Sequence, residues 1–220
     1  MAALANGYDD RRLPAVLAEN RADIQFDDDR LELIYAGRLY GYRDPTPLLL
    51  AVARTPGVRL TLVVPDPPAG EAAIHANAGD QLRLLGSMPH DHVQGLLRRA
   101  DILVNFGDQG QPVRTPAKLY EYLGIARPIL HVHGDTSTDA ATTLLQDLGR
   151  GWLCSDVPDL LAAKLVELRE LKKHGRLQEG LSLGPVHEYA HSSLGLRLER
   201  LLEESIDLRR QKPELSRNGG

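Results

Sequence analysis

The sequence predicts an α/β fold: a Rossmann-like open parallel sheet of about six strands, with helices on both faces. Three observations predict it. Short apolar, β-branched runs alternate with stretches of helical period along the chain. Glycines stand at the strand ends or entries, at Gly37, Gly86, Gly107, Gly134 and Gly151. The run Ile102-Leu103-Val104-Asn105-Phe106 reads as a buried strand, as a sheet covered on both faces requires.

Taken in order, residues 1–30 read as a connector. They hold one short helix candidate, Leu13 to Asn20, and an acidic turn, Asp27-Asp28-Asp29, and contribute little core. Residues 31–175 form the sheet domain. Strands fit at about 31–36, 59–64, 82–85, 102–106, 128–132 and 151–154. Helices fit at about 45–54, 90–99, 115–126, 138–148 and 157–173. A C-terminal extension, 176–206, carries an amphipathic helix from about 187, striped by Leu194, Leu198, Leu201 and Leu202. Residues 207–220 read as a flexible tail.

Bulk composition narrows the function classes. The chain has 220 residues, 42% apolar and 25% charged, ordinary for a globular protein. A net charge of -4 argues against a nucleic-acid binder. Cys154 is the sole cysteine, so no intrachain disulfide forms and a reducing, cytoplasmic setting is expected. No signal peptide is expected, and no apolar run reaches membrane-spanning length. A peripheral membrane association of a full-length protein stays open.

The helix at 115–126 carries the chemistry. Thr115 is a natural N-cap and Pro116 a natural first helical residue. The unpaired N–H groups of such a helix start make an anion site. Leu119, Tyr122, Leu123 and Ala126 recur at helical spacing and should face the sheet. Lys118 and Glu121, three apart, share another face. In an open parallel sheet, ligands bind beyond the carboxyl ends of the strands. That topology sets Gly37, Arg38 and Arg43 after the first strand, and the 86–89 backbone with Met88 after the third, on one rim with Thr115, Lys118 and Glu121. Each residue alone has an ordinary reading as a solvated side chain, with Lys118 and Glu121 a surface pair worth about 0.2–0.5 kcal/mol. Together they suit a nucleotide sugar: arginines and a helix start for the diphosphate, a carboxylate for the ribose hydroxyls.

At these residues the chain resembles the C-terminal, donor-binding domain of retaining GT-B glycosyltransferases, of the glycosyl transferases group 1 family. The match runs through Tyr-Ala-Gly-Arg-Leu at the first strand's end and Leu-Arg-Leu-Leu-Gly-Ser-Met-Pro, the third strand with the loop that follows it. It continues through Arg-Arg-Ala-Asp-Ile-Leu-Val, then Pro-Ala-Lys-Leu-Tyr-Glu-Tyr-Leu-Gly-Ile-Ala-Arg-Pro-Ile-Leu, and ends on Leu-Gly-Arg-Gly-Trp-Leu. Asn6-Gly7-Tyr8-Asp9 is similar to the family's interdomain segment. The resemblance implies that Arg38 holds the donor diphosphate, with Arg43 where the family has lysine, both acting in catalysis. It implies base reading at the Met88 backbone and ribose binding at Glu121. The first acid of the family's Glu, seven residues, Glu motif falls at Val113, which cannot grip a sugar, and backbone amides of 110–115 are expected to substitute.

The expected function follows from that resemblance: the nucleoside-diphosphate-sugar-binding half of a hexosyltransferase-type enzyme, acting with retention on an unknown acceptor. No tightly bound cofactor and no protein-held metal are expected; the nucleotide sugar is the donor substrate. An N-terminal acceptor-binding domain is expected as the missing partner, and the chain alone should be inactive. The alternatives are a non-catalytic nucleotide-binding or protein-interaction module of the same fold, or a nucleotide-sugar epimerase fragment. A dinucleotide dehydrogenase is disfavoured because no Gly-x-Gly-x-x-Gly follows the first strand. His90, His92, His131 and His133 read as ordinary polar or capping residues rather than metal ligands, His187, Glu188 and His191 as surface, and Trp152 as core or rim packing.

Overall fold

The structure, a computed structural model, describes residues 4–11, 24–39, 43–66, 78–107, 115–134 and 139–211, with side chains to 207. Its described elements are β1 (Leu31–Ala36), α1 (Thr46–Ala53), β2 (Val58–Val63), β3 (Leu82–Leu85), α2 (His90–Arg99), β4 (Ile102–Phe106) and α3 (Ala117–Ile125). They continue with β5 (Ile129–His133), α4 (Ala140–Asp147), β6 (Gly151–Ser155), α5 (Pro158–Lys173) and α6 (His191–Gln211). The strands form one parallel sheet in the order β3-β2-β1-β4-β5-β6. Strand order reverses between β1 and β4, where Leu33 pairs with Ile102. A crevice opens at such a reversal, beyond the strands' carboxyl ends.

Side-chain parity divides the core between two faces. Leu31, Leu33 and Tyr35 of β1 pack with Leu48, Leu49 and Val52 of α1 and Leu161, Leu165 and Leu168 of α5. Ile34, with Leu103 and Ile129, packs under α2, α3 and α4. Both faces are therefore covered, and β1 is buried from Leu31 to Tyr35. Each leucine so buried contributes roughly 1.5–3 kcal/mol relative to exposure. Trp152 packs against the first cluster, in the core or rim role the sequence suggests. The exposed His187, Glu188 and His191 lie on the surface as expected.

Helix ends depart from the expected ones. α3 begins at Ala117, not at Thr115: Pro116 holds the cap with ψ 134, and no side chain caps the helix. A proline drives the residue before it out of the helical region, so Thr115 stays outside the first turn. The same helix stops at Ile125, because Ala126 turns left-handed at φ 60 and closes it as a C-cap. Ala126 thus leaves the sheet-facing stripe, which Leu119, Tyr122 and Leu123 keep. α1 starts where Asp44 Oδ1 accepts the Thr46 N–H at 2.9 Å. α6 runs to Gln211, past the expected end at 206. The helix candidate at 13–20 and the tail from 212 lie outside the described residues.

The connector contributes more core than its composition suggests. Tyr8 is buried, and Ile24 and Phe26 pack against the second cluster. Tyr8 forms a parallel bridge with Ala190: its N–H donates to Tyr189 O, and its carbonyl accepts from the His191 N–H, each at 2.9 Å. Nearby, Arg150 is fully buried and acts as a backbone clamp. It donates at 2.6 Å to the carbonyls of Ser182, Gly184 and Leu123, tying the last turn of α3 to the segment that leads into α6. Burial lowers the Arg150 pKa, with Tyr8 pulling the other way. At Gly151 any Cβ would overlap the Ile129 carbonyl, so β6 can approach β5 there only as glycine.

Candidate nucleotide-sugar site

A cleft of about 860 Å³ opens at the carboxyl edge of the sheet, beside the strand-order reversal. Gly37, Arg38, Arg43, Met88, Thr115, Lys118 and Glu121, the residues singled out from sequence, all line it. Local structure places each of them. Gly37 leaves β1 with φ +127, a conformation that favours glycine, and its N–H donates to the Val63 carbonyl at 3.0 Å. The chain can therefore turn sharply off the strand and present Arg38 at the cleft mouth. Tyr35, fully buried, fixes that turn: its hydroxyl donates to the Arg38 carbonyl at 2.9 Å.

α3 supplies the opposite wall. Its first intrahelical bond runs from the Leu119 N–H to the Pro116 carbonyl at 2.9 Å. The N–H groups of Ala117 and Lys118 precede that bond, and both residues line the cleft. Among the described residues no side chain caps the helix start. Lys118 Nζ stands 3.6 Å from the Tyr35 ring centroid, a cation–π contact that holds the ammonium over the end of β1. Tyr122, wholly buried, donates no charge; burial pushes its hydroxyl well above the usual range, and that oxygen accepts the Ala36 N–H at 3.3 Å. Glu121 projects from the next turn, where Gln94 Nε2 donates to its Oε2 at 3.4 Å.

The lining is electrostatically one-sided. Arg38, Arg43 and Lys118 bring three cations, and Glu121 is the cleft's one carboxylate among the described residues. Cations beside a helix start suit a diphosphate, and a carboxylate further along suits hydroxyl groups. Asn6, Pro65 and His90 also line the cleft and were missed from sequence. His90, which reads as an ordinary capping residue, opens α2 and faces the same space. Val113 and the 110–114 backbone lie outside the described residues.

The other histidines do different work. His131 is fully buried, with Nδ1 2.9 Å from Asn105 Nδ2 and Nε2 3.2 Å from Asp139 Oδ2. Asp139 in turn caps α4, accepting the Thr142 N–H at 2.6 Å. Burial works to raise the Asp139 pKa, but the hydrogen bond and attraction from His131, with Thr142, outweigh it and hold it well below the carboxylate range. Among the described residues no group of three or more His, Cys, Asp or Glu sits at metal-ligand spacing. No described helix is long and apolar enough to cross a membrane.

No protein-family model and no curated protein sequence matches the chain. Solved structures do match it in fold. Anabaena Alr3699/HepE in complex with UDP superposes with a TM-score of 0.68 at 16% identity, over 92% of this chain and 57% of that one. AviGT4, a glycosyltransferase involved in avilamycin A biosynthesis, gives 0.57 at 17% identity, over 96% and 59%. UDP-GlcNAc 2-epimerase from Neisseria meningitidis bound to UDP-GlcNAc gives 0.55 at 11% identity, over 81% and 46%. The chain therefore spans less than two thirds of each of these proteins. At such identities the likeness is one of fold: the six-stranded sheet is one half of a GT-B architecture.

Proposed function

We propose that this chain is the donor-binding half of a glycosyltransferase, taking a nucleoside-diphosphate sugar. The convergence of Arg38, Arg43, the open start of α3 and Glu121 on one cleft carries the reading. Arg38 and Arg43 bind the diphosphate and stabilise the charge that develops on it as the glycosidic bond to the sugar breaks. The α3 amides add helix-terminus stabilisation of up to about 2 kcal/mol in a partly buried geometry. Glu121 accepts from the ribose hydroxyls, and the 86–89 backbone with Met88 faces the base. The fold likeness to the UDP-bound Anabaena protein supports a uridine nucleotide as the first ligand to try. Transfer of a hexosyl-type sugar with retention rests on the sequence resemblance, as does the need for a second, acceptor-binding domain.

Calorimetric titration of the chain with UDP, GDP and ADP tests the reading. At least one should bind, and silence from all three at millimolar ligand overturns the donor site. Glu121→Ala should weaken a nucleoside diphosphate more than inorganic pyrophosphate; equal losses would remove the ribose role. A second reading, half of a nucleotide-sugar epimerase, draws on the likeness to the Neisseria enzyme. Epimerisation of UDP-GlcNAc without an acceptor, by the chain joined to an N-terminal domain, would select it over transfer.

A further inference from the structure

Gln94, in the second turn of α2, is 5% exposed and shares the helix's buried side with Leu96 and Leu97. An aliphatic residue would fill that place without the cost of taking an amide out of water. Its Nε2 lies 3.4 Å from Glu121 Oε2 on α3 and 3.4 Å from His90 Nε2 one turn back on α2. His90 and Glu121 both line the cleft. A carboxylate only accepts, so the amide must turn its nitrogen, not its oxygen, toward Glu121. The same nitrogen faces His90, so His90 Nε2 accepts and the neutral ring carries its proton on Nδ1. Gln94 Oε1 has no partner among the described residues. The amide is thus held for what its nitrogen does, and it does so to two residues of the cleft wall.

We propose that Gln94 is a positioning residue for the nucleoside end of the ligand. It aims the Glu121 carboxylate at the ribose hydroxyls and locks His90 as a hydrogen-bond donor beside them, which makes the site selective for ribonucleoside diphosphates. This rests on reading the cleft as a nucleoside-diphosphate site.

The test is calorimetry on the full chain with UDP, 2′,3′-dideoxyuridine diphosphate and inorganic pyrophosphate. Wild type should bind UDP more tightly than its dideoxy analogue. Gln94→Met keeps the volume and removes both donors. It should weaken UDP about tenfold and leave the other two ligands within about twofold, so that ribose selectivity shrinks. Placed in a Glu121→Ala background, Gln94→Met should weaken UDP by much less than it does alone, since only its effect through His90 remains. Equal loss for all three ligands, or a full extra loss in that background, overturns the proposal in favour of simple packing. Should Gln94→Met not fold, the wild-type side-chain amide signals of Gln94 give the answer by NMR. They should shift with UDP and not with pyrophosphate, and unmoved signals overturn the proposal. If wild type binds none of the three ligands, the donor reading falls and takes this one with it. If wild type prefers UDP and Gln94→Met keeps that preference, only the role of Gln94 falls.

Discussion

Tyr35→Phe deletes one oxygen from the centre of the fold, and its effect should be felt at the ligand. The side chain is fully buried, its ring centroid is 5.0 Å from that of Phe106, and its hydroxyl meets the Arg38 carbonyl at 2.9 Å. Phenylalanine keeps the volume, the stacking and the face beneath Lys118. Among the described residues, what is lost is one neutral hydrogen bond, worth about 0.5–1.5 kcal/mol net. Arg38 is exposed, so its carbonyl can turn to water, and the turn after β1 is no longer fixed before a ligand arrives. If ordering that turn is part of binding, affinity for inorganic pyrophosphate and for UDP should fall alike, by roughly 2- to 13-fold. Calorimetric titration of both ligands, with urea unfolding alongside, measures the two consequences separately. A variant that loses stability yet binds pyrophosphate with wild-type affinity would refute the reasoning: the hydroxyl would then serve the strand end and not the site.

Two further expectations concern stability. Arg150→Met should cost roughly 2–4 kcal/mol, because the last-turn Leu123 carbonyl loses a charged donor while the Ser182 and Gly184 carbonyls can reach water. Thermal unfolding should drop by roughly 4–16 °C, and a loss below about 1 kcal/mol in urea would show that the clamp is dispensable. Asp139 titrates below its unfolded value, so its stabilisation is complete at neutral pH. It is lost as pH falls from about 4 toward the depressed folded pKa, since the unfolded chain binds the proton first. Asp139→Asn should therefore be less stable than wild type at pH 7 and approach it at pH 3; a constant gap across that range would sink the assignment.

The sheet was legible because burial on both faces leaves a nearly continuous apolar run, as in Ile102–Phe106, that has no other comfortable state in water. The rim was legible for a topological reason: in a parallel sheet all strands deliver their carboxyl ends to one edge, so Arg38, Met88 and Glu121 had to meet. Helix ends were not, because Thr115 offers a hydroxyl cap that the ψ of Pro116 makes unusable, and because Ala126 adopts a left-handed turn usually left to glycine. Gln94 was missed since its partner on α3 is distant in sequence. Gln94 meets Glu121 across 27 residues, and no local pattern records that approach. A faint signal did exist: a glutamine at a position of α2 where spacing calls for an apolar residue.

The Tyr8–Ala190 bridge also sets a mechanical path through the molecule. The two paired segments run parallel, one entering the domain and the other leaving it along α6. A pull on residue 6 against residue 211 would load the bridge in shear, across the Tyr8 N–H and Tyr8 carbonyl bonds and the Asp10–Ser192 contact beside them. The six-stranded sheet lies off that line and carries no tension while the bridge holds. Movement imposed from outside on either segment would therefore be taken up at this clip, and the floor of the cleft would keep its shape until the clip gives way.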